Sequence, residues 1–178
     1  RWVRLENASR SWAIANDATY GWDVTRHQND RRGTWSQVRA TLVKSARFPD
    51  PDQDQGHHQW NFRIVPDASV LEAVAAGQQI NLGVREVSGA PVDAPFSVDG
   101  AVVESVALAP DRSGDLVIRL YEAEGGPSRV TFRAPKAGSV TACDLRYRPS
   151  DSEPELRGGQ GEWSFDLSAF QITTLRVS

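Results

Sequence analysis

The chain has 178 residues, 39% of them hydrophobic and 24% charged, with a formal net charge of −3. That length holds one substantial core or two small ones, and that composition excludes a disordered chain. The small negative charge, with no basic stripe, argues against a nucleic-acid partner, and no apolar run approaches the roughly 20 residues that a membrane helix needs.

Residues 2–6 (WVRLE) and 12–16 (WAIAN) alternate apolar and polar positions, the period of strands with one buried face. Residues 36–44 form the next such stretch. Between them, Trp22 and Trp35 stand beside glycine and charged residues and are candidates for an exposed aromatic platform.

The segment RFPDPDQDQGHH, residues 47–58, concentrates carboxylates, imidazoles and prolines. Asp50, Asp52 and Asp54 at alternate positions imitate the start of a calcium loop. The imitation stops where Gln55 replaces the turn glycine and Asn61 the closing glutamate. His57 and His58 are adjacent, so in an extended chain they point to opposite faces and cannot chelate one zinc together. No Gly-x-Ser-x-Gly elbow or triad spacing occurs. By itself the segment reads as a proline-stiffened loop with solvated aspartates.

Beyond it, Trp60, Phe62 and Ile64 alternate with Asn61 and Arg63, which predicts a strand with Trp60 in the core. The stretch PDASVLEAVAAGQQ then predicts a short helix over 68–76, with Asp67 or Ser69 as its N-cap, Glu72 in capping-box position after Ser69 and Gly77 as its stop. A strand is expected over 80–87. Residues 86–100 are rich in proline, glycine and small side chains and read as a boundary.

In the last part, a strand is expected over 102–108. Leu116, Ile118 and Leu120 share one face of DLVIRLY, the run stops at Gly125-Gly126-Pro127, and Val130 and Phe132 alternate in SRVTFR; together these predict a β-hairpin. Residues 140–146 form a strand in which Cys143, the one cysteine, is a small buried thiol. That cysteine count excludes an internal disulfide and favours a reducing compartment. An exposed loop over 148–162 precedes EWSFDL, where Trp163 belongs to the core, and the closing strand QITTLRV. About ten strands and one helix make an all-β sandwich. The chain holds no methionine, which suggests a piece of a longer polypeptide.

The order of four tracts, RWVRLENASRSWAIANDATYGWDV, LVKSARFPDPDQDQGHHQWNFRIVP, VVESVALAPDRSGDLVIRLYEAEGGPSRVTF and FQITTLRVS, resembles the C-terminal region of bacterial and cytosolic type α-mannosidases of glycoside hydrolase family 38. In that family an NDxxYGxD-like tract precedes a PDPxxDQGxH-like one, and an LRLYEAxGG-like hairpin precedes the final strand. Residues 25–38 depart from the pattern, and QDQGHH carries an extra histidine. The resemblance implies that residues 1–92 end a large mutarotase-like supersandwich and that residues 93–178 form a small immunoglobulin-like sandwich. It also implies an N-terminal catalytic barrel in the same polypeptide, holding zinc, a nucleophilic aspartate and an acid/base carboxylate, that cleaves terminal α-mannosides with retention. No catalytic residue or zinc ligand is expected in this chain.

On that reading Asp52, Asp54, Gln55, Gly56 and His58, with Tyr20, Gly21 and Asp23, face the barrel and wall the mannoside pocket. The polypeptide is expected in the bacterial cytoplasm, with oligomerisation open. The alternative reading is an independent carbohydrate-binding β-sandwich with Trp22 or Trp35 at its platform.

Overall fold

The computed structural model describes residues 1–31, 33–90 and 92–178. They fall into two compact units, Arg1–Glu86 and Val87–Ser178, and every strand pairing is antiparallel. Among the described residues no helix is long and apolar enough to cross a membrane.

The first unit contains β1 (Trp2–Glu6), β2 (Ser11–Asn16), β3 (Trp22–Asn29), β4 (Gly33–Ala40), β5 (Phe62–Pro66) and α1 (Val70–Asn81). Strands β1, β2 and β5 form one sheet in the order β1-β2-β5, and β3 and β4 form a separate two-stranded ladder. Helix α1 covers one face of the three-stranded sheet, packing its Ala73, and Ala68 just before its N-cap, on Ala13, Trp2 and Val65. The small residues are what let the helix lie close to the sheet. Gly77 faces Trp2, and a Cβ there would stand 2.9 Å from Trp2 Cδ1.

Ser69 is the N-cap and closes a full capping box with Glu72. The helix then runs five residues past the expected end at Ala76, to Asn81. Gly77 therefore does not stop it; its missing side chain is used for the approach of Trp2. The end is fixed at Asn81, whose Nδ2 donates to the carbonyls of Gly77 and Asn16, both at 2.8 Å. The strand expected over 80–87 is absent, since its first residues are spent on this last turn. Strand β4 is shifted against the expected 36–44: it starts at Gly33 and ends at Ala40, after which the amides of Lys44 and Ser45 turn to Asp54.

The second unit contains β6 (Ser97–Asp99), β7 (Val102–Leu108), β8 (Leu116–Tyr121), β9 (Ser128–Arg133), β10 (Val140–Cys143), β11 (Arg157–Gly159), β12 (Glu162–Leu167) and β13 (Ile172–Val177). Two four-stranded sheets, β10-β13-β8-β7 and β11-β12-β9-β6, close on one core. From the first come Ile118, Leu120, Leu175 and Val177; from the second, Val130, Phe132, Trp163, Phe165 and Leu167. The all-β sandwich with one helix is therefore the fold.

The hairpin expected between β8 and β9 is not one. Strand β8 pairs with β7 and β13, and β9 with β6 and β12, so the Gly125-Gly126-Pro127 corner carries the chain from one sheet to the other. The alternation of the two runs is right, but it sets Ile118 and Leu120 across the core from Val130 and Phe132. Cys143 is buried at 1% exposure, and desolvation raises the pKa of its thiol.

Candidate functional site: a polar loop and an open sheet face

The loop over 50–58 is built from its own side chains. Asp50 Oδ1 accepts from the Asp52 amide at 2.9 Å, and Asp52 Oδ1 accepts from Gln55 Nε2 at 3.0 Å. Asp54 Oδ2 accepts from the amides of Ser45 at 2.9 Å and Lys44 at 3.2 Å, which pins the loop to the segment after β4. His58 Nε2 donates to the Asp54 carbonyl at 2.8 Å, and its ring stacks on Trp60 with centroids 5.3 Å apart. Trp60 is thus half-buried beside His58 and not in the core.

Asp54 and Gly56 have φ of 61° and 125°, values that aspartate tolerates and glycine adopts freely. The two amides, with a smaller pull from His58, hold the Asp54 carboxyl below its ordinary pKa. The alternate aspartates that imitate a cation loop are in fact turn caps. Among the described residues no three of His, Cys, Asp and Glu converge as a metal requires.

Tyr20, Gly21 and Asp23 sit at the entry to β3. Asn16, buried at 1%, sets the turn before them by accepting from the amides of Ala18 at 3.0 Å and Thr19 at 2.7 Å. The Gly21 carbonyl accepts from Thr41 N at 2.8 Å, and a Cβ on Gly21 would stand 2.8 Å from the Thr41 side chain. Tyr20 is 71% exposed; its hydroxyl accepts from Arg1 Nε at 3.0 Å. Asp23 is paired with Arg39 across the ladder. Asp52, Asp54, Gln55 and His58 are brought together; among the described residues no hydrogen bond or ring contact joins them to Tyr20 or Asp23.

The larger feature is apolar and was missed by sequence reasoning. Helix α1 takes the sheet face of Trp2, Ala13 and Val65, so the period of two leaves Val3, Leu5, Trp12, Ile14, Phe62 and Ile64 on the other. Of these, Trp12 is 43% and Ile64 63% exposed. The inner side of the β3–β4 ladder covers part of this face, with Trp22 edge-on to Phe62 at 6.3 Å. A concavity of about 480 Å³ remains, floored by Leu5, Trp12, Ile14, Val38 and Ile64, with Arg26 at its margin. The signal in the sequence was that both phases of β2 and β5 are largely apolar, the mark of a sheet covered on both sides.

Comparison with known proteins identifies the second unit. Residues 100–175 match the family model of the glycosyl hydrolases family 38 C-terminal beta sandwich domain. This segment is a family 38 C-terminal β-sandwich domain. Over 194 aligned residues the chain is also 21% identical to alpha-mannosidase G of Dictyostelium discoideum, covering 99% of this chain. It spans 17% of that relative's length. Both findings bear out the resemblance to a family 38 C-terminal region.

Within the family 38 domain, Glu122 is the group that sequence reasoning passed over. It lies in the LYEAEGG tract, is buried at 4%, and accepts from the amides of Phe170 at 2.9 Å, Gly125 at 2.9 Å and Glu124 at 2.6 Å. Those bonds hold its pKa below the ordinary value, Phe170 contributing most. The carboxylate staples the β8–β9 corner to the loop before β13. Its role is architectural: the backbone amides enclose it.

Proposed function

We propose that this chain is the C-terminal, non-catalytic β region of a bacterial cytoplasmic α-mannosidase. In this reading residues 1–92 end a large β-sandwich, residues 93–178 form the small one, and zinc and the reacting carboxylates belong to a catalytic barrel elsewhere in the same polypeptide. The observation that carries the reading is the open face of the β1-β2-β5 sheet in a chain whose second unit is a family 38 domain. A sheet closed by a helix on one side and only partly covered on the other is an incomplete packed structure. Each apolar side chain fully covered there stabilises the assembly by roughly 1.5–3 kcal/mol.

The loop over 52–58 and the Tyr20–Asp23 segment are the polar counterpart of that face. Asp52, Asp54, Gln55, Gly56 and His58, with Tyr20, Gly21 and Asp23, border the barrel and wall the mannoside pocket. The support is that the loop is rigid through its own bonds yet solvent-facing, so its side chains are arranged before any partner arrives.

The test joins this chain to the upstream part of its polypeptide, separately expressed. Association is expected, with hydrolysis of an aryl α-mannoside by the joined pair. Ile64→Glu, which sets a charge on the open face, is expected to abolish association while leaving the helix-covered side folded. Unchanged association in Ile64→Glu would refute the interface. Unchanged kinetics in Asp54→Ala and His58→Ala of the joined enzyme would refute the pocket wall.

A further inference from the structure

The outward side of the β3–β4 ladder carries a row of side chains outside the core, in which Thr25, His27 and Trp35 are half-buried and Trp35 also reaches the rim of the concavity. The register sets Asp23 opposite Arg39, Thr25 opposite Gln37 and His27 opposite Trp35. Each rung is held by its neighbours. Asp23 Oδ2 accepts from Arg39 Nε at 2.8 Å and from Thr25 Oγ1 at 3.4 Å. His27 Nε2 donates to Gln37 Oε1 at 3.2 Å, and the imidazole stacks on the Trp35 indole, centroids 5.2 Å apart and planes 20° from parallel. Such a row has its rotamers fixed before anything binds.

The bonding also leaves specific atoms unused. All three bonds to Asp23, from Thr25 Oγ1 and from Arg39 Nε and Nη2, go to Oδ2, so among the described residues Oδ1 is left to accept and Arg39 Nη1 to donate. That pair, side by side, matches a vicinal diol, one hydroxyl donating to the carboxylate and its neighbour accepting from the guanidinium. At the other end the Trp35 indole has one face on the His27 imidazole, and its opposite face is the one that would take the apolar face of a pyranose by CH–π stacking. Between them the Gln37 amide nitrogen is a further donor. Residues four apart on a strand are separated by about 14 Å, so one sugar ring reaches the Asp23–Arg39 end or Trp35, and only a short chain reaches both.

We propose that this ladder face is an oligosaccharide-binding site, with one pyranose stacked on Trp35 and a diol of a more distant residue gripped by Asp23 and Arg39. The site would begin at the pocket wall that Asp23 supplies and hold, along the ladder toward Trp35, the part of a glycan beyond the bond being cleaved. The use of a mannosyl probe rests on the reading given under Proposed function; the geometry of the site does not.

The test titrates the 178-residue chain with methyl α-mannopyranoside and with α-linked mannotriose, following indole N–H signals by NMR. The Trp35 signal is identified as the one lost in Trp35→Phe. It is expected to shift in saturable fashion, with the trisaccharide binding at least about tenfold more tightly than the monosaccharide because two contacts are linked. Asp23→Ala and Trp35→Ala are each expected to reduce trisaccharide binding to the monosaccharide level, and the buried Trp163 signal to stay still. A variant is scored only with the amide signals of β3 and β4 intact, and Arg39→Ala replaces any that loses them. An unmoved Trp35 signal overturns the proposal, as does equal affinity for the two sugars or a response centred on Trp12. Failure here with intact association to the catalytic part removes this site alone. Sugar binding without association removes the domain reading and leaves the site.

Discussion

Glu122 and Asp54 show how a single carboxylate decides local shape here, each ordering a turn by collecting backbone amides. Glu122, Asp17, Asp54 and Asp144 all titrate below their ordinary values through such bonds, and Asp111 is brought down to about 2 by Ser113 and Arg176. A carboxyl whose folded-state pKa is depressed stabilises the fold above its unfolded pKa and loses that contribution as pH falls through the folded value. Stability is therefore expected to hold from neutral pH to roughly pH 4 and to drop toward pH 2, read as Tm against pH. Glu122→Gln, which keeps the shape and removes the charge, is expected to lower Tm by several degrees at pH 7 and to flatten that acid limb. A limb of unchanged steepness would show that other carboxyls carry it.

At the level of elements, what could be read from the sequence depended on whether the cause was local. The capping box of α1 was legible because Ser69 and Glu72 satisfy each other within three residues. Ser69→Ala is expected to cost about 1 kcal/mol, measured by urea unfolding, with the loss confined to the first unit. The helix end was not legible, since it depends on Asn81 reaching β2 and on Trp2 filling the space over Gly77. Strand β3 escaped notice because both its faces are largely polar and its period is hidden. The β8–β9 corner misled for a related reason: alternation specifies which side chains point inward but not which strand lies alongside. Of the candidate site, the loop and its proline-stiffened character could be read, whereas the bonds that turn its aspartates inward to amides, and the partly covered sheet face beside it, emerge only from long-range pairing.

On the scale of the whole molecule, the two units are closed to different degrees. The family 38 domain wraps Phe132, Phe165 and Leu120 completely. The first unit leaves a face of Trp12, Phe62 and Ile64 only partly covered, a contiguous patch unlike the scattered single apolar residues of an ordinary surface. The contrast gives the first unit the lower share of stability until something covers it.

The β8–β9 corner reaches further than its own geometry. The family 38 domain changes sheet five times between β6 and β13, so each layer is stitched from early and late segments and no contiguous stretch can peel away alone. Hydrogen exchange should then release the inner amides of β8, β9, β12 and β13 at one common free energy, as a single cooperative block. A layer that opened ahead of the other would mean that the stitching does not bind them. For an engineer the same weave implies that the domain can be swapped between proteins as one piece, and that trimming it strand by strand would unravel both layers together.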